Sequence, residues 1–187
     1  MHKLVFYLPT KETLNSNRMP NSMIVKSKTA AKIRELGVKT GLELHTDTEQ
    51  ATKRFHAIEA EEKVKLEKSR SKKRLKKAGV DDVEIEEKMK QIEKDLAPEK
   101  TRNDYEIDYL YNKFTVKVKV YSLTKGRIDP PNFYPTIKHI IDGLTDASWW
   151  KDDNFDQLTE MSFKYGGVSD QKGLYKFELT IEENTTD

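Results

Sequence analysis

The 187-residue sequence contains no cysteine and no long hydrophobic run, and each absence excludes a class of protein. Without cysteine the chain can form no disulfide, no zinc–thiolate site and no thiol nucleophile, which is compatible with a reducing cytosol. No apolar stretch approaches the roughly 18 residues that a membrane-spanning helix needs. The residues after Met1 form a segment that is too short and too strand-like for a signal peptide. We therefore expect a cytoplasmic protein without a membrane partner.

Apolar residues are scarce as well, because 35 % of the residues are hydrophobic and 35 % are charged. An ordinary globular domain is richer in apolar residues, so part of the chain is expected to add little to a core. The net charge of +2 does not by itself indicate a nucleic-acid partner, since clustering of charge on one face is what matters. The four histidines lack metal-ligand spacing, and His139 is expected to be a plain helix-surface residue. No Gly-rich phosphate loop or serine nucleophile motif is present.

Alternation of apolar and polar residues with a period of two predicts the strands. The predicted strands are residues 3–8, 114–122, 157–164 and 174–182. A helical pattern begins near Ser27, and a second one follows Pro135, a residue that suits the first turn of a helix. The order of these elements predicts an α+β fold, in which a small mixed or antiparallel sheet packs against helices.

Residues 46–97 differ from the rest, because they are saturated with Lys, Arg and Glu and carry only thin apolar stripes. Residues 62–78 hold nine Lys/Arg against two Glu, and residues 81–95 hold seven Asp/Glu against three Lys. Two helices of opposite charge joined near Gly79 predict an inserted antiparallel helical hairpin. The predicted division is 1–45 with 98–187 for the main domain and 46–97 for the hairpin. A solvated helical pair, a DNA-contacting arm and a coiled-coil interaction module all remain open for it.

Carboxylates are concentrated in the segment from residue 127 to residue 154. Asp129 follows a predicted strand, Lys138 and Asp142 lie one turn apart on the next helix, and Asp152 and Asp153 follow in a loop. If the helix folds back on its strand, these carboxylates converge, and they then repel unless a proton or a cation joins them. Oxygen ligands without His or Cys suit Mg²⁺ or Mn²⁺. A hard cation held by aspartates beside a lysine is typical of sites that hydrolyse phosphodiesters. The same residues are also explained by aspartates in surface turns and by a plain ion pair between Lys138 and Asp142.

The segment resembles the RusA-like Holliday junction resolvases. Their pattern is Asp-x-Asp-Asn after a strand, a helix with a Lys four residues before an Asp, and then a Trp and Asp-Asp. The matching residues are Asp129, Asn132, Lys138, Asp142, Leu144, Trp150, Asp152 and Asp153. The resemblance covers roughly residues 2–20 and 112–183. It departs from the pattern at Pro131, which replaces the second Asp, and in three extra residues before the Lys.

The resemblance implies a small α/β homodimer of bacterial or prophage origin that nicks branched DNA symmetrically with Mg²⁺ during recombination and repair. It implies that Asp129, Asp153 and the adjacent Asp152 hold the metal, and that Lys138 is catalytic. Asp142 is the most suitable replacement for the ligand missing at Pro131. The predicted DNA-binding residues are Asn15, Asn17, Arg18, Lys117, Lys119, Arg127 and Asn132. A catalytically inactive DNA-binding or scaffolding protein of the same fold is the alternative.

Overall fold

A computed structural model describes residues 1–184 of the chain, so residues 185–187 of the predicted main domain lie outside the described part. The strands are β1 (His2–Pro9), β2 (Phe114–Ser122), β3 (Leu158–Val168) and β4 (Leu174–Glu183). The helices are α1 (Met23–Leu44), α2 (Thr48–Lys77), α3 (Asp82–Leu96) and α4 (Tyr134–Asp146). Short 3₁₀ turns form at Thr10–Glu12, Ser16–Arg18, Arg102–Asp104 and Pro130–Phe133. The predicted α+β fold class is confirmed. Within residues 1–184, no helix is long and apolar enough to cross a membrane.

The four strands form one mixed sheet in the order β1-β4-β2-β3. β4 pairs antiparallel with both β1 and β2, while β2 and β3 pair in parallel. Parallel neighbours need a crossover connection, and α4 lies in the one between β2 and β3. β3 continues four residues beyond its predicted end, because a register shift allows Gly167 and Val168 to keep pairing with the end of β2.

The chain forms two compact units, residues 1–46 with 109–187 and residues 47–108. In the first unit, alternate residues of β1, β2 and β4 are buried. Helices α1 and α4 pack against each other through glycines: a Cβ on Gly143 would lie 2.2 Å from the carbonyl oxygen of Arg34, and one on Gly37 would lie 2.5 Å from that of Ile140. The absence of side chains therefore allows the two helix backbones to approach closely.

Helix α4 ends in a turn that directs the next residues into the core. The amide of Trp149 donates to the carbonyl of Leu144 (3.1 Å), and that of Ser148 donates to Thr145 (3.0 Å). This is the Schellman pattern, with Ser148 at φ 65° where glycine is usual. Trp149 and the next residue, Trp150, are then fully buried, and the Trp149 indole donates to the carbonyl of Gly41 (2.9 Å). The loop that follows, which carries Asp152 and Asp153, is thereby anchored to the core.

The second unit is a helical hairpin formed by α2 and α3. Gly79 turns the chain at φ 76°, and the Asp81 carboxylate caps α3 by accepting the amides of residues 83 and 84. Ion pairs join the two arms, with Lys68 to Glu93 at 2.7 Å as the shortest. The unit continues past α3, because the Arg102 guanidinium returns to Glu61 of α2 at 2.7 Å.

Candidate functional site

A cavity of about 270 Å³ opens at one edge of the sheet in the first unit. The sheet register explains why three chain segments meet there: the ends of β1 and β2 both pair with the start of β4. The residues that line the cavity are Asn15, Asn17, Arg18, Arg127, Ile128, Asp129, Asn132, Phe133 and Tyr175. Five of the seven predicted DNA-binding residues are among them, together with the first predicted metal ligand.

The loop after β1 is fixed against α4 by a reciprocal pair of hydrogen bonds. The Leu14 amide donates to the Thr136 hydroxyl oxygen (2.8 Å), and that hydroxyl donates to the Leu14 carbonyl (2.8 Å). Both residues are fully buried. One residue later, the Asn15 side chain accepts the Asn17 amide at 2.9 Å. These bonds position the asparagines and Arg18 beside the loop that carries Asp129.

A second group of predicted residues meets on α4 around the ammonium of Lys138. Its Nζ donates to Oδ1 of Asp142, one turn further along the helix, and to Oδ2 of Asp153 at 2.5 Å. His139 completes the group, with Nδ1 3.2 Å from the second oxygen of Asp142. Since both carboxylates bind one nitrogen, their nearest oxygens lie within about 6 Å of each other. The three predicted residues are partly buried, with 17–37 % of each side chain exposed.

Hydrogen bonding controls the charges in this group. Burial by itself lowers the pKa of Lys138, but hydrogen bonds to Asp142 and Asp153 outweigh it and leave the pKa raised. Burial likewise acts to raise the pKa of Asp142, and the hydrogen bonds from His139 and Lys138 reverse the shift and leave the pKa lowered. Lys138 is therefore a cation and Asp142 an anion at neutral pH.

The predicted carboxylates are divided between two places. Asp129 lines the cavity, whereas Asp142 and Asp153 bind Lys138. Asp152 turns back on its own loop, where it accepts the Asp153 amide (2.8 Å) and the Asn154 side chain (3.1 Å). Across residues 1–184, no three Asp, Glu, His or Cys side chains form a group that could hold a metal ion. The parallel pairing of β2 and β3 gives the reason, because Asp129 follows the end of β2 while Asp153 precedes the start of β3.

The predicted ligands in the two places are all carboxylates, and their oxygens suit Mg²⁺ or Mn²⁺. Asp129 would offer such an ion its carboxylate at the cavity, and Asp142, Asp152 and Asp153 would offer theirs near Lys138. A cation already lies between two of them, because the Lys138 ammonium bridges Asp142 and Asp153. An ion shared by those two carboxylates would therefore need the ammonium to move aside.

Lys117 and Lys119, the other two predicted DNA-binding residues, do not line the cavity. They alternate along β2 with buried valines, so they lie on the opposite face of the sheet. Lys117 pairs with Glu182 at 2.5 Å, and Lys119 pairs with Glu178 at 3.4 Å. Each lysine would have to leave a glutamate in order to bind a phosphate.

Sequence reasoning misses two contributors to the site. His139, expected to be a plain helix-surface residue, contacts Asp142, and their spacing of three residues is the signal that could have indicated it. Thr136 ties the loop after β1 to α4, and nothing in its local sequence indicates a partner 122 residues away.

No model of a protein family matches the chain. No curated protein matches it either. The resemblance to the RusA-like resolvases therefore depends on the residues of the motif.

Proposed function

We propose that the protein is a Mg²⁺-dependent endonuclease that nicks branched DNA, with four-way junctions as the substrate class that the motif implies. The observation that carries the proposal is the Lys138 ammonium held by two carboxylates, one from its own helix and one from a loop 15 residues later. Phosphodiester cleavage develops negative charge on the phosphate, and a fixed ammonium beside carboxylates is suited to stabilise that charge. The protein would act in the cytoplasm, in DNA recombination or repair.

Asp142 and Asp153, with Asp152 in the same loop, would hold the metal, whereas Asp129 lies at the cavity and would need a rearrangement to share it. A bound Mg²⁺ supplies polarisation of the phosphate and a more acidic water molecule. The raised pKa of Lys138 keeps its ammonium charged, so it can donate to a phosphoryl oxygen. Asp142 holds this ammonium on one flank of α4, and His139 contacts the other oxygen of Asp142.

The cavity beside Asp129 would hold the sugar–phosphate backbone of the DNA. Arg18 and Arg127 supply positive charge there, and the side chains of Asn15, Asn17 and Asn132 supply neutral donors and acceptors. Such contacts fix a backbone without reading its sequence. Selectivity for junctions would then come from a homodimer, whose two sites face symmetry-related strands.

Cleavage of a synthetic four-way junction tests this function. Wild-type protein should nick symmetrically related strands with Mg²⁺ or Mn²⁺, and EDTA should abolish nicking. Asp153→Asn removes a carboxylate charge with little change in shape, so nicking should fall on the order of 100-fold while junction binding persists. Asp170→Asn is the matched control, since Asp170 is an exposed acid that bonds to Tyr7 and Lys176 outside the site. Nicking by Asp153→Asn at the wild-type rate would contradict the proposal.

A non-catalytic DNA-binding protein of the same fold is the second candidate function. Pro131 stands where the motif has its second Asp, and no acidic trio gathers within residues 1–184. In the same assay this candidate predicts junction binding without nicking under any divalent ion.

A further inference from the structure

Helix α2 has a positively charged outer face on the side that points away from α3. The inner side of the helix is marked by its contacts: Val64 is buried, Lys68 pairs with Glu93, and Leu75 lines a cavity of about 310 Å³ with residues of α3. Successive residues turn by about 100° around a helix. From position 63 onward, Lys63, Leu66, Arg70, Lys73 and Lys77 lie on the opposite side together with the neutral Ser69, while Glu59 and Glu62 lie on that side nearer the start of the helix.

The charges of this outer face are not neutralised within the described chain. Lys63, Lys73 and Lys77 are exposed, and none of them forms an ion pair with any of residues 1–184. Arg70 has one acidic neighbour, Glu67, at 4.0 Å, which is the outer limit for an ion pair. The acidic arm does not reach this face, because its interarm ion pairs go to Lys68 and Lys76.

The length and regularity of the face match a polyanion. Fourteen residues separate Lys63 from Lys77, so the charges extend over about 21 Å of helix. A DNA duplex carries about twelve phosphate charges in that distance. Lysines contact phosphates as flexible point charges, without reading the sequence. Leu66 is the one large apolar side chain among the five residues, so the face lacks the apolar centre of a protein–protein interface.

We propose that the outer face of α2 binds the phosphate backbone of duplex DNA independently of sequence. The face belongs to the second unit and includes no residue of the candidate catalytic site. The charge pattern by itself indicates a polyanion. The choice of DNA as that polyanion rests on the proposed function. The hairpin is then a second contact to the arms of a branched substrate, in addition to the contacts at the cavity.

The salt dependence of duplex binding tests this inference. Full-length wild type, Lys73→Gln/Lys77→Gln and Lys90→Gln/Lys94→Gln are titrated with a fluorescent linear duplex in EDTA over a range of salt concentrations. The second pair is the matched control, because it removes two exposed lysines from α3 without ion-pair partners in residues 1–184. Glutamine keeps the helix propensity of lysine, so all three proteins should fold alike, as circular dichroism can verify.

The slope of log K against log salt should decrease in magnitude by about 1 for each lysine removed from the outer face. At about 0.1 M salt this loss weakens binding at least tenfold, and the control pair should bind like wild type. Equal binding by all three proteins overturns the inference, and junction nicking measured separately with Mg²⁺ shows whether the proposed function survives. If wild type binds neither duplex nor junction, both fail. Sedimentation gives one further outcome that overturns the inference. In that outcome the wild type forms a salt-sensitive dimer, and only Lys73→Gln/Lys77→Gln loses the dimer without a change in DNA binding. The face would then bind the acidic arm of a second copy.

Discussion

Lys138 donates hydrogen bonds to two carboxylates, so its removal should change their titration. In Lys138→Met, Asp142 loses a hydrogen bond and a positive charge but keeps its burial, which acts to raise its pKa. We therefore predict that the pKa of Asp142 rises, as measured by ¹³C NMR titration of the side-chain carboxyl groups. Lys32→Met serves as a control, because Lys32 pairs with Glu12 at 3.4 Å in another part of the unit. An unchanged Asp142 titration would show that Lys138 does not control its charge.

The raised pKa of Tyr111 predicts that the stability of the first unit falls in alkaline conditions. Burial raises the pKa of its phenol to about 12, and the negative charge of Glu183 adds to the shift. A raised pKa means that the folded protein holds the proton more tightly than the unfolded chain. Its contribution to stability is therefore complete below about pH 10 and is lost as the pH rises toward 12.

Urea unfolding between pH 9 and pH 12 measures this loss. In wild type, the free energy of unfolding should fall by about 2 kcal/mol more than in Tyr111→Phe, which has no phenol to ionise. Tyr134→Phe is the control, because Tyr134 is 48 % exposed. A parallel decline in wild type and Tyr111→Phe would assign the alkaline effect to other groups, such as the lysines.

Single residues of the site differ in how far their sequence context reveals them. The Lys138–Asp142 pair follows from helical spacing, since residues four apart share one face. The Asp153 contact needs the return path of the chain, which depends on the buried tryptophans and on the turn at Ser148. Local patterns do not encode that path, so the sequence alone could not decide which of the four aspartates would meet.

The contact between α1 and α4 is the element-scale feature on which the site depends. A Cβ at position 143 would meet two backbone atoms of α1, the Arg34 oxygen at 2.2 Å and the Val38 nitrogen at 2.7 Å. Because backbone cannot move aside as a side chain can, Gly143→Ala must push the helices apart. We predict a loss of about 2 kcal/mol in the free energy of unfolding, measured by urea denaturation.

Gly126→Ala provides the comparison for that substitution. A Cβ at position 126 would have one close neighbour, the Thr124 hydroxyl oxygen at 3.4 Å, so this variant should unfold like wild type. If both alanine variants unfold at the same urea concentration, the close approach of α1 and α4 does not limit stability. Gly143 also follows Asp142 directly, so the displaced helix should reduce junction nicking in the Gly143 variant.

Periodicity predicts elements well where one face is buried and the other is solvated. β2 lies at its predicted residues, 114–122, since its valines alternate with lysines. The prediction for β3 is too short, because its residues are only partly buried and its glycines resemble a turn. The two prolines fit the 3₁₀ turn at Pro130–Phe133, because neither needs an amide donor in the first positions of a turn. Strand order and the parallel β2–β3 pair depend on long-range contacts that no local pattern contains.

The main apolar core belongs to the first unit, and the charged hairpin forms the second. Every residue of the main hydrophobic cluster belongs to the first unit, which also contains all the predicted site residues. Low overall hydrophobicity therefore reflects the second unit and does not indicate a weak core. The second unit begins and ends at residues 47 and 108, eleven residues later at its end than the hairpin predicted from sequence.

A chain in which a flexible Gly/Ser linker of about 12 residues replaces residues 47–108 should fold by itself. The linker has a root-mean-square span of about 20 Å, so it imposes little geometry on the two ends that it joins. We predict a single cooperative thermal transition by calorimetry, because the linker replaces no residue of the main hydrophobic cluster. If the proposed endonuclease is correct, this shortened chain still nicks junctions with Mg²⁺, but its binding to linear duplex is weaker and depends less on salt. Unfolded or aggregated protein at the temperature where wild type is native would mean that the first unit needs the hairpin for its stability, and that the two compact units do not fold independently.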